Sequence, residues 1–311
     1  MRRLVFVSFL QLVGTLFIVS TLVFFILRVL PGDPARAVLG MQANEQSVQR
    51  FRQEFGLDRP VVIQYTEWIS GLVRFDFGRS FSNRQPVAPV LGQRLGLTLF
   101  LAVGGMICAL LLALPMGVAA ARKPWGRFDT LAMGVSHGLM AFPEFWIGMV
   151  GILLFSVQLK LFPLFGTGFG IHLVLPVLAL GLNRAPILFR TLRGGLIQES
   201  SRSYALFFRG SGVPERRLFW KYLLRNQLPS VSAVAAIQFG YLLGGAIIIE
   251  QVFALPGLGR LLMSAILSRD LPVIQAGVIL AALAFTLVGF ATDIITHAST
   301  SQGMTRGKPN G

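Results

Sequence analysis

The chain has 311 residues, 54% hydrophobic and 13% charged, against roughly 25% charged in soluble domains. Its 28 Lys and Arg outnumber 13 Asp and Glu, a net charge of +15. A single cysteine, Cys108, excludes an internal disulfide, and three histidines are too few for cytochrome-like or metal-cluster chemistry.

Five or six apolar stretches are long enough to cross a bilayer, each needing about 20 residues. The fold class is therefore an all-α polytopic membrane protein. Span one covers Leu4 to Leu30. Its basic start resembles a secretory signal, but the apolar run is too long and no A-x-A-like site follows, so a retained span is expected. Residues 31–96 form a long mixed-charge loop whose aromatics (Phe51, Phe55, Tyr65, Trp68, Phe75, Phe77 and Phe81) predict a small folded cap. Span two, Leu97 to Ala121, ends in "RKPWGR". Span three, Phe128 to Val157, would be about 45 Å long as a helix, and Pro143 in "AFPEFW" predicts a kink or break. Span four runs from Leu173 to Arg193, span five from Val231 to Phe253, and span six from Val273 to Ile295. A polar tail, 299–311, follows.

In a soluble protein such a charge would suggest nucleic acid. Here the basic residues cluster in short segments: Arg2 and Arg3, then Arg122, Lys123 and Arg127, then 203–230, then Arg306 and Lys308. They alternate consistently on one side, which the positive-inside rule makes cytoplasmic. Six spans with both termini cytoplasmic satisfy every cluster, place 31–96 outside, and leave no reason to invoke nucleic acid.

No phosphate-binding G-x-x-x-x-G-K-[ST] motif is present, since Gly307-Lys308 lacks the upstream glycine, and no H-E-x-x-H occurs. His137, His172 and His297 lie on different spans or ends and are expected to pack or sit at interfaces. Ser136 and His137 are adjacent, so they point to different helix faces and cannot form a nucleophile–base pair. No catalytic residue is assigned.

Charge inside the spans is a better functional signal. Glu144 follows Pro143 in span three, Arg184 sits midway along span four just before Pro186, and Glu250 ends the apolar part of span five. Glu144 and Arg184 either pair, line a water-filled path with substrate contact, or lie at an interface. With Phe142 and Asn183 beside them, these residues are the candidates for a translocation path or gate. Gly134/Gly138 and Gly240/Gly244 have the spacing for close helix approach.

The segment "SYALFFRGSGVPERRLFWKYLLRNQLPS" (203–230) interrupts this apolar chain. Pro214 and Glu215 suit a helix start, after which Arg217, Lys221 and Arg225 share one face and Leu218, Phe219, Tyr222 and Leu223 another. "SYALFFR" predicts a second short helix, with Gly210 and Gly212 allowing a sharp turn between the two. Such a helix–turn–helix either docks a protein or lies in the lipid surface.

This segment resembles the cytoplasmic loop of permease subunits in ABC importers of the dipeptide/oligopeptide/nickel branch, through Tyr204, Arg209, Gly212, Leu224, Arg225, Asn226 and Leu228. "LRVLPGDPA", "FGLDRPVVIQYTEWISGLVRFDFGRSF" and "GGAIIIEQVFALPGLGRLLMSAILSRDLPVIQ" are similar to other parts of the B-type member of that family, so the resemblance covers nearly the whole chain. The departures are Ser203 for an acidic residue, Gly210-Ser211 for Ala-Lys, and the two charges Glu144 and Arg184.

The resemblance implies a type I importer permease fold. It has a first helix (1–30), a loop domain (31–96), a five-helix core (97–298) with a coupling loop (197–230), and a tail (299–311). It implies an inner-membrane transport subunit rather than an enzyme. A C-type permease, two ATPases carrying the ATP and magnesium, and an extracytoplasmic binding protein would be its partners, with membrane lipid around it and no cofactor of its own. Tyr204, Ala205, Phe208, Arg209, Gly210, Ser211, Gly212, Val213, Arg216 and Arg217 would couple it to an ATPase. Peptides are the expected cargo. A nickel or metal–chelator permease and a self-contained secondary transporter or channel are the alternatives.

Overall fold

A computed structural model of the chain describes residues 2–29, 31–40, 42–164 and 170–305. The expectations about Arg306, Gly307, Lys308 and the rest of 306–311 lie outside the described residues, as do the side chains of Arg2, Arg3 and His297. Five helical runs are long and apolar enough to span a membrane: Phe9–Val29, Val87–Arg122, Ile171–Ser200, Glu215–Val252 and Leu271–Ala291. A sixth consists of two helices, Arg127–Ala141 and Glu144–Gln158, bent by 100° at their junction. With that pair counted as one span the number is six, as the hydropathy predicts.

Two compact units divide the chain. The first comprises 1–98 and 256–287. It contains α1 (Arg2–Val29), α2 (Pro34–Leu39), α3 (Glu45–Glu54), α4 (Val61–Val73), the start of α5 (Val87–Arg122), α12 (Leu258–Ser268) and the start of α13 (Leu271–Thr305). The cap expected between 31 and 96 is built around Phe51, Phe55 and Phe81, whose rings lie 4.6–5.5 Å apart, with Ala35, Val48 and Leu271 in the same cluster. Phe75 is not part of it. That residue is 77% exposed and left-handed at φ 59°, because it sits in the turn that ends α4. Asp270, which is buried, ties distant parts of this unit together. It accepts the Ser80 hydroxyl and the Phe81 and Ser82 amides, the amides at 2.9 and 3.2 Å. Three donors on one buried carboxylate supply the partners that burial demands.

The second unit comprises 99–255 and 288–311. Its helices include α6 (Arg127–Ala141), α7 (Glu144–Gly151) with a π-helical continuation (Ile152–Gln158), α8 (Ile171–Ser200), α9 (Ser203–Gly210), α10 (Glu215–Arg217), a π-helical turn (Leu218–Leu223) and α11 (Leu224–Val252). Pro143 explains the break between α6 and α7. It cannot donate a helical hydrogen bond, and it forces the preceding residue out of helical geometry: Phe142 is extended at φ −99°, ψ 134°.

The helix boundaries differ from the hydropathy boundaries. α5 begins at Val87, ten residues before the expected start, because Val87 and Leu91 pack into a protein core. α8 continues to Ser200 and α13 to Thr305, beyond the expected ends of spans four and six. Hydropathy marks only the hydrocarbon part of a helix, whereas backbone hydrogen bonding continues into water or protein. Of the four glycines expected at close helix approach, Gly240 is buried on α11, whereas a β-carbon at Gly134, Gly138 or Gly244 would meet nothing within 4 Å. α5 and α8 approach instead at Gly181, where a β-carbon would lie 2.6 Å from Cys108, and at Gly105 and Gly117, each within 2.9 Å of a leucine on α8.

Candidate functional site

The segment after α8 forms the expected helix–turn–helix, with one difference. The second helix is not a separate piece before span five, since Glu215 to Val252 is a single helical run. Apolar side chains hold the segment: Ala205, Leu218, Phe219 and Leu223 are buried with Leu192 and Leu196 of α8 and Val118 and Ala121 of α5. The Phe208 and Tyr222 rings pack against one another, tilted by 31°, with centroids 4.5 Å apart.

The turn itself is made by Gly212, at φ 75°, where a non-glycine residue is strained. Gly210 ends α9 in helical conformation and needs no special freedom. The Val213 amide donates to the Phe208 carbonyl (3.0 Å), closing the loop. Arg209 braces it from outside, donating to Glu215 (2.7 Å) and to the Ser200 carbonyl (2.8 Å).

Tyr204 donates to Glu199 (2.6 Å) and accepts from Asn226 (3.0 Å), so it links α8, α9 and α11. Burial and then the bond to the Glu199 carboxylate push its phenol up to about 12, leaving it a neutral donor at physiological pH. Thus Tyr204, Ala205, Phe208 and Arg209 build the segment. Gly210, Ser211, Gly212, Arg216 and Arg217 are exposed, and Val213 is half-buried. Leu206 and Phe207 are exposed beside them at 57% and 69%, and sequence reasoning missed them. The available signal was that all five residues 204–208 are apolar or aromatic, more than one face of an eight-residue helix can bury.

The intramembrane charges also meet. Arg184 Nη2 lies 2.8 Å from Glu144 Oε2, joining α8 to the first residue of α7. Asn183 donates to the Phe142 carbonyl at 3.1 Å, in the stretch that Pro143 keeps extended. Phe142 stacks on Trp146 at 4.2 Å. The Glu144 carboxylate lies on Gly245 of α11, where a β-carbon would overlap it, and Arg184 stands 5.7 Å from the Tyr241 ring centroid. Four of the five path candidates are therefore gathered at one junction of α7, α8 and α11. Glu250 is not among them: it is fully buried near the end of α11, and its carbonyl accepts the Leu255 amide at 2.8 Å.

The family profile of the binding-protein-dependent transport system inner membrane component matches residues 113–301, and that of its N-terminal part matches 1–102. The chain belongs to this family, as an ABC importer permease of the dipeptide/oligopeptide type. The permease is 40% identical over 291 residues to the glutathione transport system permease protein GsiC of Escherichia coli (strain K12), covering 93% of this chain and 94% of the relative. The same figures hold for GsiC of Shigella boydii serotype 4 (strain Sb227). Among solved structures it is similar to a chain of the inward-facing MetNI methionine ABC transporter, with a TM-score of 0.58 and 20% identity. That match spans 68% of the permease and 96% of the other chain, and supports the type I importer fold. Family membership makes the permease a multi-pass inner-membrane transport subunit rather than an enzyme, working with ATPase, permease and substrate-binding partners, and sets aside a self-contained transporter.

A second buried ion pair escaped the sequence reading. Asp129, near the start of α6, is 2% exposed and takes two hydrogen bonds from Arg193 of α8. It also accepts the Trp125 amide at 2.7 Å. Its signal was an acidic residue directly after a basic turn and close to an apolar run. Nothing local, however, distinguishes it from a helix-start carboxylate.

Proposed function

We propose that this permease forms half of the translocation path for di- or oligopeptides handed over by an extracytoplasmic binding protein, beside a homologous C-type permease. The observation that carries this reading is 40% identity to GsiC, named for glutathione transport, across 93% of the chain; glutathione is itself a short peptide. Both termini face the cytoplasm and the cap of 31–96 faces outward, in keeping with the alternation of basic clusters. The turn at Gly212 then enters a groove of one of two ATPases. These subunits carry the ATP and magnesium, and this chain holds no cofactor.

Leu206, Phe207, Gly210, Ser211, Arg216 and Arg217 form the docking face, while Tyr204, Ala205, Phe208, Arg209 and Val213 keep it in shape. ATPase closure moves α9 and the helical run from Glu215 as a rigid body, shifting helices on either side of the path. Phe142, Glu144, Asn183 and Arg184 gate that path where α7 is broken from α6, and Glu250 stiffens α11 beyond them.

Reconstitution with the C-type permease, the ATPases and the binding protein tests the cargo. ATP-dependent uptake of labelled di- and tripeptides, without uptake of Ni(II)-chelates, is expected. Uptake of chelates alone would overturn the peptide assignment.

A further inference from the structure

Unit one contains a cavity of about 260 Å3 between α1, α4 and the turn 76–81, with Leu271 and Pro272 on its rim. Its charged walls differ in what they are free to do. Arg28 is committed to the Phe24 carbonyl and to Gln64, and Glu67 is held by Arg59. Trp68 is another wall, and its indole Nε1 is buried without an acceptor among the described residues. A buried donor in that state is unfavourable unless water or a ligand meets it. Arg79 also lines the cavity, from an exposed position that leaves its guanidinium open to a ligand. Asp76 spends one oxygen on the Gly78 amide at 2.9 Å.

We propose that this cavity binds the carboxylate of a small organic acid of amino-acid or dipeptide size, with Trp68 Nε1 and Arg79 as the donors. Phe55 and Phe77 supply apolar walls for the remainder of the molecule, and the second oxygen of Asp76 accepts an α-ammonium. A charge-assisted donor and a neutral one lining the same cavity select a carboxylate over an amide. The volume admits a small solute or a single side chain, below the range of drug-sized ligands. This site belongs to the cap unit and is independent of the path at Glu144 and Arg184.

The test uses the full chain in phosphatidylcholine nanodiscs, isotopically labelled at the indole nitrogens. The Trp68 signal is assigned by its loss in Trp68→Phe. Alanyl-alanine is expected to shift the Trp68 Nε1–H resonance saturably, whereas alanyl-alaninamide, which lacks the carboxylate, leaves it in place. Arg79→Gln, at an exposed position, should leave folding intact and raise the dipeptide Kd about tenfold, the effect of one charge-assisted hydrogen bond. No saturable shift, an equal shift with the amide, or an unchanged Kd in Arg79→Gln would overturn the proposal. So would a shift produced by the binding protein alone, which would make the cavity a protein contact. Transport is not measured, so failure here leaves the path assignment standing.

Discussion

Arg184 and Arg193 stand nine residues apart on α8, roughly 13–14 Å along the helix axis, and each holds a carboxylate from a different half of the broken span. Arg193 takes Asp129 of α6, and Arg184 takes Glu144 of α7. Pro143 removes the helical continuity between the halves, and the two ion pairs tie each half to the same neighbour. A span bent by 100° is thereby held in one geometry.

Breaking the inner pair is expected to cost more than removing it. Glu144→Gln or Arg184→Gln alone leaves one buried charge without its partner, a loss on the order of 3–5 kcal/mol, and the double change should recover a large part. Thermal unfolding of the four proteins in detergent measures the coupling. Strictly additive effects would show that the contact contributes nothing of its own.

The outer pair should behave unlike the surface pairs. Asp129→Asn removes a 2%-exposed carboxylate that serves both Arg193 and the Trp125 amide, for a loss of about 3 kcal/mol or more. Glu54→Gln breaks the exposed pair with Arg84, at 3.3 Å, and should stay within about 1 kcal/mol. Equal shifts in unfolding temperature would contradict the structural role of Asp129.

Adjacent glycines on α11 separate packing from helix propensity. Gly245→Ala places a methyl group on the Glu144 carboxylate, whereas Gly244→Ala enters open space. The first should destabilise by about 1–3 kcal/mol and reduce uptake. The second should be neutral or slightly stabilising, since Ala favours helix over Gly. Indistinguishable variants would remove Gly245 from the site.

At Gly212 the constraint is the backbone, because nothing lies within 4 Å of an added β-carbon but φ is 75°. Gly212→Val should cost about 1–2 kcal/mol and lower uptake per ATP hydrolysed, with Gly212→Asn milder because Asn tolerates that region. Gly210→Ala should match the wild type. Tight coupling in Gly212→Val would refute the role of the turn.

Tyr204→Phe takes the hydrogen bond from Glu199 Oε2, leaving that carboxylate to Arg202 alone, and releases Asn226, a loss of about 1–2 kcal/mol at neutral pH. The folded phenol is raised from 10 to about 12. Its contribution is therefore complete below pH 10 and fades as pH rises through about 12. The stability gap between wild type and Tyr204→Phe should stay flat from pH 6 to about 9 and narrow above 10. A gap that already narrows below pH 9 would contradict the raised value.

The spans, the break at Pro143 and the turn near Gly212 were legible because each has a local cause: transfer free energy, a missing amide hydrogen, and tolerance of positive φ. The helix ends were less so. Val87 and Leu91 extend α5 by packing against protein, which no hydropathy window registers. The Glu144–Arg184 contact was one of several readings the sequence allowed, because spacing along the chain does not say which faces of two helices meet.

The sequence by itself determined a helical membrane protein of six spans, since burial of apolar length and the behaviour of proline and glycine are properties of short segments, and its motifs carried the resemblance to a permease. Only the tertiary structure decided that Arg193 takes Asp129, that Glu144 rests on Gly245, and that Asp270 ties down Ser80 to Ser82 from nearly two hundred residues away. Pairings of that kind depend on where distant segments stand once the helices have packed. A buried charge can be expected from sequence, but its partner is chosen by the fold.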